Sequence, residues 1–445
     1  MRWFKRILLL VVVSLLVFLG FQYPKLAIIT GYAAKNMAST AFIAGRSEQS
    51  VNQNDHQVPL IEMAKSTYRE TDQTGRATVL GLQSREAICR EGLGCVLVPP
   101  GEKAPTSGAT PRRSSTELAL PYPLGHLPAV DTTFSEVDYA LVAEAFDQAF
   151  KDPEIQRTRT LLVLYKGYLL REKYVEGFGP DTPVLGWSMT KSVLATLYGI
   201  LEYQGQLDID MPTGLAGWAS DRRSQITFED LLRMQSGLEW DEDYSGISDV
   251  TRMLFQSSSM PVVQARKELA GAPGTLWNYS SGTSNLLSGL LRDHLGNDQR
   301  YLDFPYRELA DKIGMNSLLI ETDLDGNFVG SSYAWASTRD WARFGLLYLR
   351  EGQWNSTRLF HPDWVREVTT PTEHSNGQYG LHFWLNRGGT YPDAPPDLYM
   401  ANGYQGQHVF IIPSKDLVVV RTGLAESPDF DANAVLSRLA RAIRN

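Results

Sequence analysis

Ser188 and Lys191 stand three residues apart in Gly186-Trp187-Ser188-Met189-Thr190-Lys191-Ser192, directly ahead of a helical pattern carried by Val193, Leu194, Leu197, Ile200 and Leu201. Residues i and i+3 of a helix face the same way, so an ammonium comes within reach of the hydroxyl. A free hydroxyl is a poor nucleophile and needs a base beside it. Lysine serves as that base only if its surroundings lower its pKa. The helix start also aims backbone N–H groups at any oxyanion formed there. Taken alone the pattern is weak, because many helices carry it by chance with the serine as a plain N-cap.

Two further stretches hold residue types of interest. In Pro273-Gly274-Thr275-Leu276-Trp277-Asn278-Tyr279-Ser280-Ser281-Gly282-Thr283-Ser284-Asn285 a turn leads to Tyr279, a small polar cluster and a Leu-rich helix. A tyrosine beside a lysine charge can lose or relay a proton; judged alone, the segment reads as a tyrosine packed at a helix start. In Ala401-Asn402-Gly403-Tyr404-Gln405-Gly406-Gln407 the glycines suit close approach of a strand to a substrate, or a simple hairpin turn. Other chemistries fail by letter. A nucleophile elbow and a phosphate loop both need glycine where Thr190 stands, and no His-Glu-x-x-His exists for zinc. The seven histidines show no ligand spacing and read as ordinary surface or core residues.

These residues need elements to hold them. An amphipathic helix is predicted over residues 134–150, with Val137, Leu141, Ala145 and Phe146 on one face. Strand-like runs at 160–165 and 168–174, joined at Lys166-Gly167, predict a hairpin, and runs at 409–412 and 417–422 predict a second. A last helix is expected over 431–443, with Val435, Leu436, Leu439 and Ile443 as its stripe. The pattern gives an α+β class: an antiparallel sheet flanked by terminal helices, with an inserted helical subdomain and the site between lobes.

The chain has 445 residues, 43% of them hydrophobic, enough for one large or two ordinary domains. A net charge of −8 without clustered Lys and Arg excludes a nucleic-acid partner. Arg2, Lys5 and Arg6 precede an apolar run over residues 7–21, slightly short for the roughly 20 residues of a full span. Residues 1–22 are therefore expected to form a signal-anchor whose basic flank stays cytoplasmic. No small-x-small cleavage site follows directly, which favours an uncleaved anchor over a removed signal. Pro24 would kink or end that helix. The rest is expected to lie in the periplasm of a Gram-negative bacterium, with the inner membrane as a partner. Residues 23–115 read as an accessory segment that ends in a Pro/Gly/Ser/Thr-rich linker over 99–115, and residues 116–445 as the catalytic domain. Cys89 and Cys95 would pair as a short-loop disulfide in an oxidising compartment; a metal half-site and two free thiols are the competing readings.

Taken in order, Ser188-x-x-Lys191, Tyr279-Ser280-Ser281 and the glycine-containing motif at 401–407 resemble the superfamily of class C β-lactamases, DD-peptidases and esterases. Ile226-Thr227-Phe228-Glu229-Asp230-Leu231-Leu232-Arg233-Met234-Gln235-Ser236-Gly237-Leu238 and Ala336-Ser337-Thr338-Arg339-Asp340-Trp341-Ala342-Arg343-Phe344-Gly345 resemble that family's helices. The likeness covers about residues 120–440, and the motif at 401–407 is similar to the 6-aminohexanoate-oligomer hydrolase branch. The resemblance implies a β-lactamase/penicillin-binding-protein-like fold and no metal or organic cofactor. It implies an acyl-enzyme on Ser188, Lys191 and Tyr279 sharing base and acid duties, and the backbone N–H groups of Ser188 and Tyr404 as oxyanion hole. Ser281, Asn402 and Gly403 would line the substrate. Two positions depart from the pattern. Ser281 stands where class C β-lactamases carry Asn, and Ala401 where they carry the Lys that meets the substrate carboxylate. The expected function is a serine hydrolase of a small or peptide-like amide or ester, not an efficient antibiotic-degrading β-lactamase. The alternative is a non-catalytic or transpeptidase-type peptidoglycan-binding protein on the same fold.

Overall fold

The structure is a computed structural model and describes residues 2–99, 108–114 and 118–444. Most of the linker read over 99–115 lies outside the described residues. The chain forms two compact units. One comprises Met1–Arg90, Cys95–Pro105 and Asp241–Ser258; the other comprises Glu91–Gly94, Thr106–Trp240 and Ser259–Asn445.

The first unit has a long helix, α1 (Arg2–Phe42), on a four-stranded sheet of β1 (Lys65–Arg69), β2 (Thr74–Val79), β3 (Gln83–Arg90) and β4 (Gly94–Val98), in that order. Small residues let helix and sheet meet closely. A Cβ at Gly75 of β2 would stand 2.7 Å from the Ala34 carbonyl oxygen and the Ala38 methyl. Cys89 and Cys95 are joined by a disulfide. The helix Asp249–Gln256 also belongs here, although its sequence lies deep inside the stretch read as the catalytic domain. Its Phe255 ring lies 5.7 Å from Tyr32 of α1, and Arg85 Nη1 donates to the Phe255 carbonyl at 3.0 Å.

The membrane anchor read over residues 1–22 is overturned. Among the described residues no helix is long and apolar enough to cross a membrane. The apolar run of 15 residues rises only about 22 Å as a helix, against about 30 Å of hydrocarbon. Pro24 does not end the helix either: α1 continues through it to Phe42. Beyond Pro24 the apolar side chains Ile28, Ile29, Tyr32, Ala33 and Met37 are buried in protein. The transmembrane, signal-anchor and inner-membrane expectations fall with it.

The second unit contains, in order, α2 (Tyr139–Phe150), β5 (Thr158–Tyr165), β6 (Tyr168–Tyr174), β7 (Pro183–Leu185), α3 (Met189–Tyr203), α4 (Ser281–Leu295), β8 (Leu319–Ile320), β9 (Ala334–Ser337), α5 (Thr338–Leu349), β10 (Trp384–Leu385), β11 (Tyr399–Gly403), β12 (Gln407–Ile412), β13 (Leu417–Gly423) and α6 (Ala432–Ala442). The main sheet is antiparallel, in the order β10-β11-β12-β13-β5-β6, and β7-β9-β8 form a smaller one. The last strand thus pairs with the first, Val419 opposite Val163. Alternation along β5 sends Leu161 and Val163 to a core shared with Phe146 and Leu436 of the terminal helices, and Leu162 and Leu164 to a core shared with Trp341 and Phe344 of α5. A Cβ at Gly345 would stand 2.5 Å from Val418, so glycine lets α5 lie flat on the sheet. This is the expected α+β arrangement of a sheet flanked by terminal helices. One boundary differs: α2 starts at Tyr139, because the Asp138 carboxylate accepts from the Ala140 and Leu141 N–H groups and caps it there.

Candidate active site

Ser188 is the first turn's entry into α3. The preceding Trp187 adopts φ +47°, which turns the chain sharply out of β7. Thr190 ties this turn down: its hydroxyl donates to the Trp187 carbonyl at 2.6 Å and accepts from the Ala334 N–H of β9 at 2.9 Å. Glycine is required at 186, since a Cβ there would meet the Trp341 ring at 2.4 Å. Ser188 sits at the N-cap position, yet its hydroxyl makes no capping bond. It accepts instead from Lys191 Nζ at 3.0 Å.

Lys191 is 1% exposed, and its ammonium also donates to Ser281 Oγ and to the Ser331 carbonyl, each at 3.0 Å. A buried ammonium is costly unless its three donors are satisfied. Here all three have acceptors, and the Tyr279 ring adds its face, with Nζ 4.8 Å from the centroid. Ser280 caps α4 by accepting from the Thr283 N–H at 2.9 Å, which points the neighbouring Ser281 inward. The Asn285 side chain, one turn on, accepts from the Ser331 N–H at 3.1 Å and so holds the carbonyl that Lys191 uses.

Tyr279 is walled by aromatic rings, with Tyr379 5.7 Å and Trp384 5.3 Å from it, centroid to centroid. On the opposite flank, β11 runs against the nucleophile turn. A Cβ at Gly403 would be 2.1 Å from the Gly186 carbonyl and 3.2 Å from the Ser188 nitrogen, so only glycine admits this approach. Tyr404 follows directly and packs edge-on against Trp187 at 5.4 Å. Its carbonyl accepts from Gln407 Nε2 at 3.1 Å, and Arg421 donates to the Gly406 carbonyl at 2.8 Å, which fixes the turn. Burial pushes the Arg421 guanidinium down to about 9. Asn402 is half-buried, whereas Ala401 is wholly buried in the apolar core.

The structure thus gathers Ser188, Tyr279 and Ser281 around the Lys191 ammonium, and brings Gly403 beside the Ser188 backbone, with Tyr404 packed on Trp187. Sequence reasoning missed Ser331, which contributes a main-chain oxygen that no residue type signals. It also missed Tyr379 and Trp384, whose loop lies 100 residues or more from Tyr279. Among the described residues no group of His, Cys, Asp and Glu is arranged to hold a metal ion.

A serine, a buried lysine and a tyrosine at the junction of an antiparallel sheet and a helical region define a class, and the chain belongs to it: the Beta-lactamase family, whose model matches residues 155–441, more than half the sequence. Among particular relatives, the chain is 24% identical over 359 residues to the 6-aminohexanoate-dimer hydrolase of Paenarthrobacter ureafaciens, covering 74% of this chain and 84% of that one. In structure it is similar to a family VIII carboxylesterase, with TM-score 0.56, 15% identity, and 71% of this chain and 100% of that one covered. It is also similar to a D-stereospecific amidohydrolase from Streptomyces sp., with TM-score 0.51, 16% identity, and 68% and 98% covered. At such identities the two structures speak for the fold alone. All three relatives are hydrolases by name.

Proposed function

We propose that the protein is a serine hydrolase that cleaves an amide or ester through an acyl-enzyme on Ser188. The observation that carries this is Lys191 Nζ, buried and 3.0 Å from a serine hydroxyl that caps nothing. In its neutral form Lys191 takes the Ser188 proton as Oγ bonds to the substrate carbonyl carbon. Tyr279 passes a proton to the departing amine or alcohol as the C–N or C–O bond breaks. Water then attacks the ester by the same route in reverse and restores Ser188. The backbone N–H groups of Ser188 and Tyr404 receive the oxyanion, a reading supported by the closeness of Gly403 to the Ser188 nitrogen. Asn402, Gly403 and Ser281 border the acyl group. Ala401 offers no cation to a substrate carboxylate, which favours amides and esters over β-lactam antibiotics. Similarity to an enzyme named for a 6-aminohexanoate dimer supports an amide substrate.

A fluorophosphonate probe tests the reading. It should label the protein on the peptide that contains Ser188, and Ser188→Ala should abolish both labelling and hydrolysis of p-nitrophenyl esters. An adduct on another peptide, or full turnover by Ser188→Ala, would overturn the mechanism.

A further inference from the structure

Resting on that reading, we propose that His382 is a positioning residue of the catalytic site, joining the three segments that converge on Lys191 and Tyr279. His382 is 2% exposed and lies more than 100 positions from Ser188, Lys191, Tyr279 and Ser281 in sequence. It adopts φ +56°, the left-handed region that glycine enters most freely. The contacts of its side chain show where it acts.

Both ring nitrogens are engaged. Nδ1 lies 2.5 Å from the Leu232 carbonyl, which can only accept, so Nδ1 carries the proton. Nε2 is then an acceptor, and the Ser284 hydroxyl donates to it at 2.9 Å. Ser284 is one turn along α4 from Ser281, which bonds Lys191. The main chain of His382 completes the junction. Its N–H donates to the Leu232 carbonyl at 3.1 Å, and its carbonyl accepts from the Ser192 hydroxyl at 2.7 Å. Ser192 directly follows Lys191 on α3. Tyr379 and Trp384, whose rings flank Tyr279, stand three residues before and two residues after His382.

One residue thus sets the spacing among the helix bearing Lys191, the helix bearing Ser281 and the segment leading into β10 whose rings hold Tyr279. The imidazole stays neutral. Burial pushes it down to about 3, and the nearby Lys191 ammonium acts in the same direction. It therefore places no second charge beside the base. Its effect on the reaction passes through the ring of Tyr279 and the hydroxyl of Ser281.

The test compares the full chain with His382→Gly and His382→Asn. Glycine keeps the left-handed backbone and removes only the ring; asparagine tolerates the same φ and restores a donor and an acceptor. Fluorophosphonate titration counts competent Ser188 sites, and p-nitrophenyl butyrate turnover is expressed per titrated site. The expected result for His382→Gly is a kcat lower by roughly 10- to 100-fold with KM within about twofold, since the reacting groups are displaced while the acyl pocket remains. His382→Asn should recover part of that loss. Unchanged kcat per titrated site in His382→Gly would overturn the inference while leaving the acyl-enzyme reading intact. Failure of the unaltered chain to label at Ser188 would overturn both.

Discussion

Lys191 directs all three of its N–H groups at acceptors inside the site, so a change to any one acceptor redistributes the others. Lys191→Ala should therefore lower turnover by several orders of magnitude, since Ser188 loses its adjacent base. Tyr279→Phe keeps the ring face over the ammonium and removes only the hydroxyl. It should cost roughly 10²- to 10⁴-fold, the range of a proton-transfer group. The double variant should be little worse than the worse single one, because residues acting as a unit are not additive. Steady-state kinetics of the three variants decide this; full additivity would place Tyr279 outside the proton path. At this scale the sequence was informative where side-chain type and helical spacing coincide, as at Ser188 and Lys191. It was silent at Ser331, which acts through its backbone, and at His382, whose role depends on a partner 98 positions away.

Among elements, the decisive approach is that of β11 to the turn before α3. The Gly403 position has a carbonyl where a methyl would go, so Gly403→Ala must push the strand away from Ser188. Such a shift should lower activity by about 100-fold or more, while far-ultraviolet circular dichroism stays that of the unaltered chain. Retained activity would show that Tyr404 does not need this closeness. Strand alternation and the turns at Lys166-Gly167 and 413–416 made both hairpins legible, because local pattern and local pairing agree there. The pairing of β13 with β5 joins residues more than 250 positions apart and left no local trace. The start of α2 was misjudged by apolar periodicity alone; the capping carboxylate of Asp138 was the available signal. The sheet β1–β4 escaped notice because β1 to β3 are rich in charged and polar residues, as in Lys65–Arg69 and Gln83–Arg90.

For the whole molecule, buried imidazoles weaken the fold in acid, and two carboxyls that burial raises, Glu202 to about 7 and Asp323 to about 6, act the other way. Burial lowers His56 to about 4 and His408 to about 3, as it lowers His382 to about 3. The unfolded chain takes up protons on these rings near pH 6.5, and the folded chain does not. Below that pH the unfolded state gains protons that the native state lacks, so their contribution is complete above about pH 6.5 and is lost as pH falls toward 4 and 3. Each ring contributes up to about 1.4 kcal/mol per pH unit in that window. His408→Asn should therefore reduce the drop in denaturant stability between pH 7 and pH 5; an unchanged drop would mean that the fold accommodates the charged ring. The helix Asp249–Gln256 carries a different consequence. Its Val250, Met253, Leu254 and Phe255 are buried within the unit built on α1, while the chain before Asp241 and after Ser258 builds the other. A gene fragment opened at residue 116 would carry that greasy face away from the partners that cover it. The N-terminal portion is therefore not a detachable module, since removing it uncovers four buried apolar side chains in the midst of the remainder.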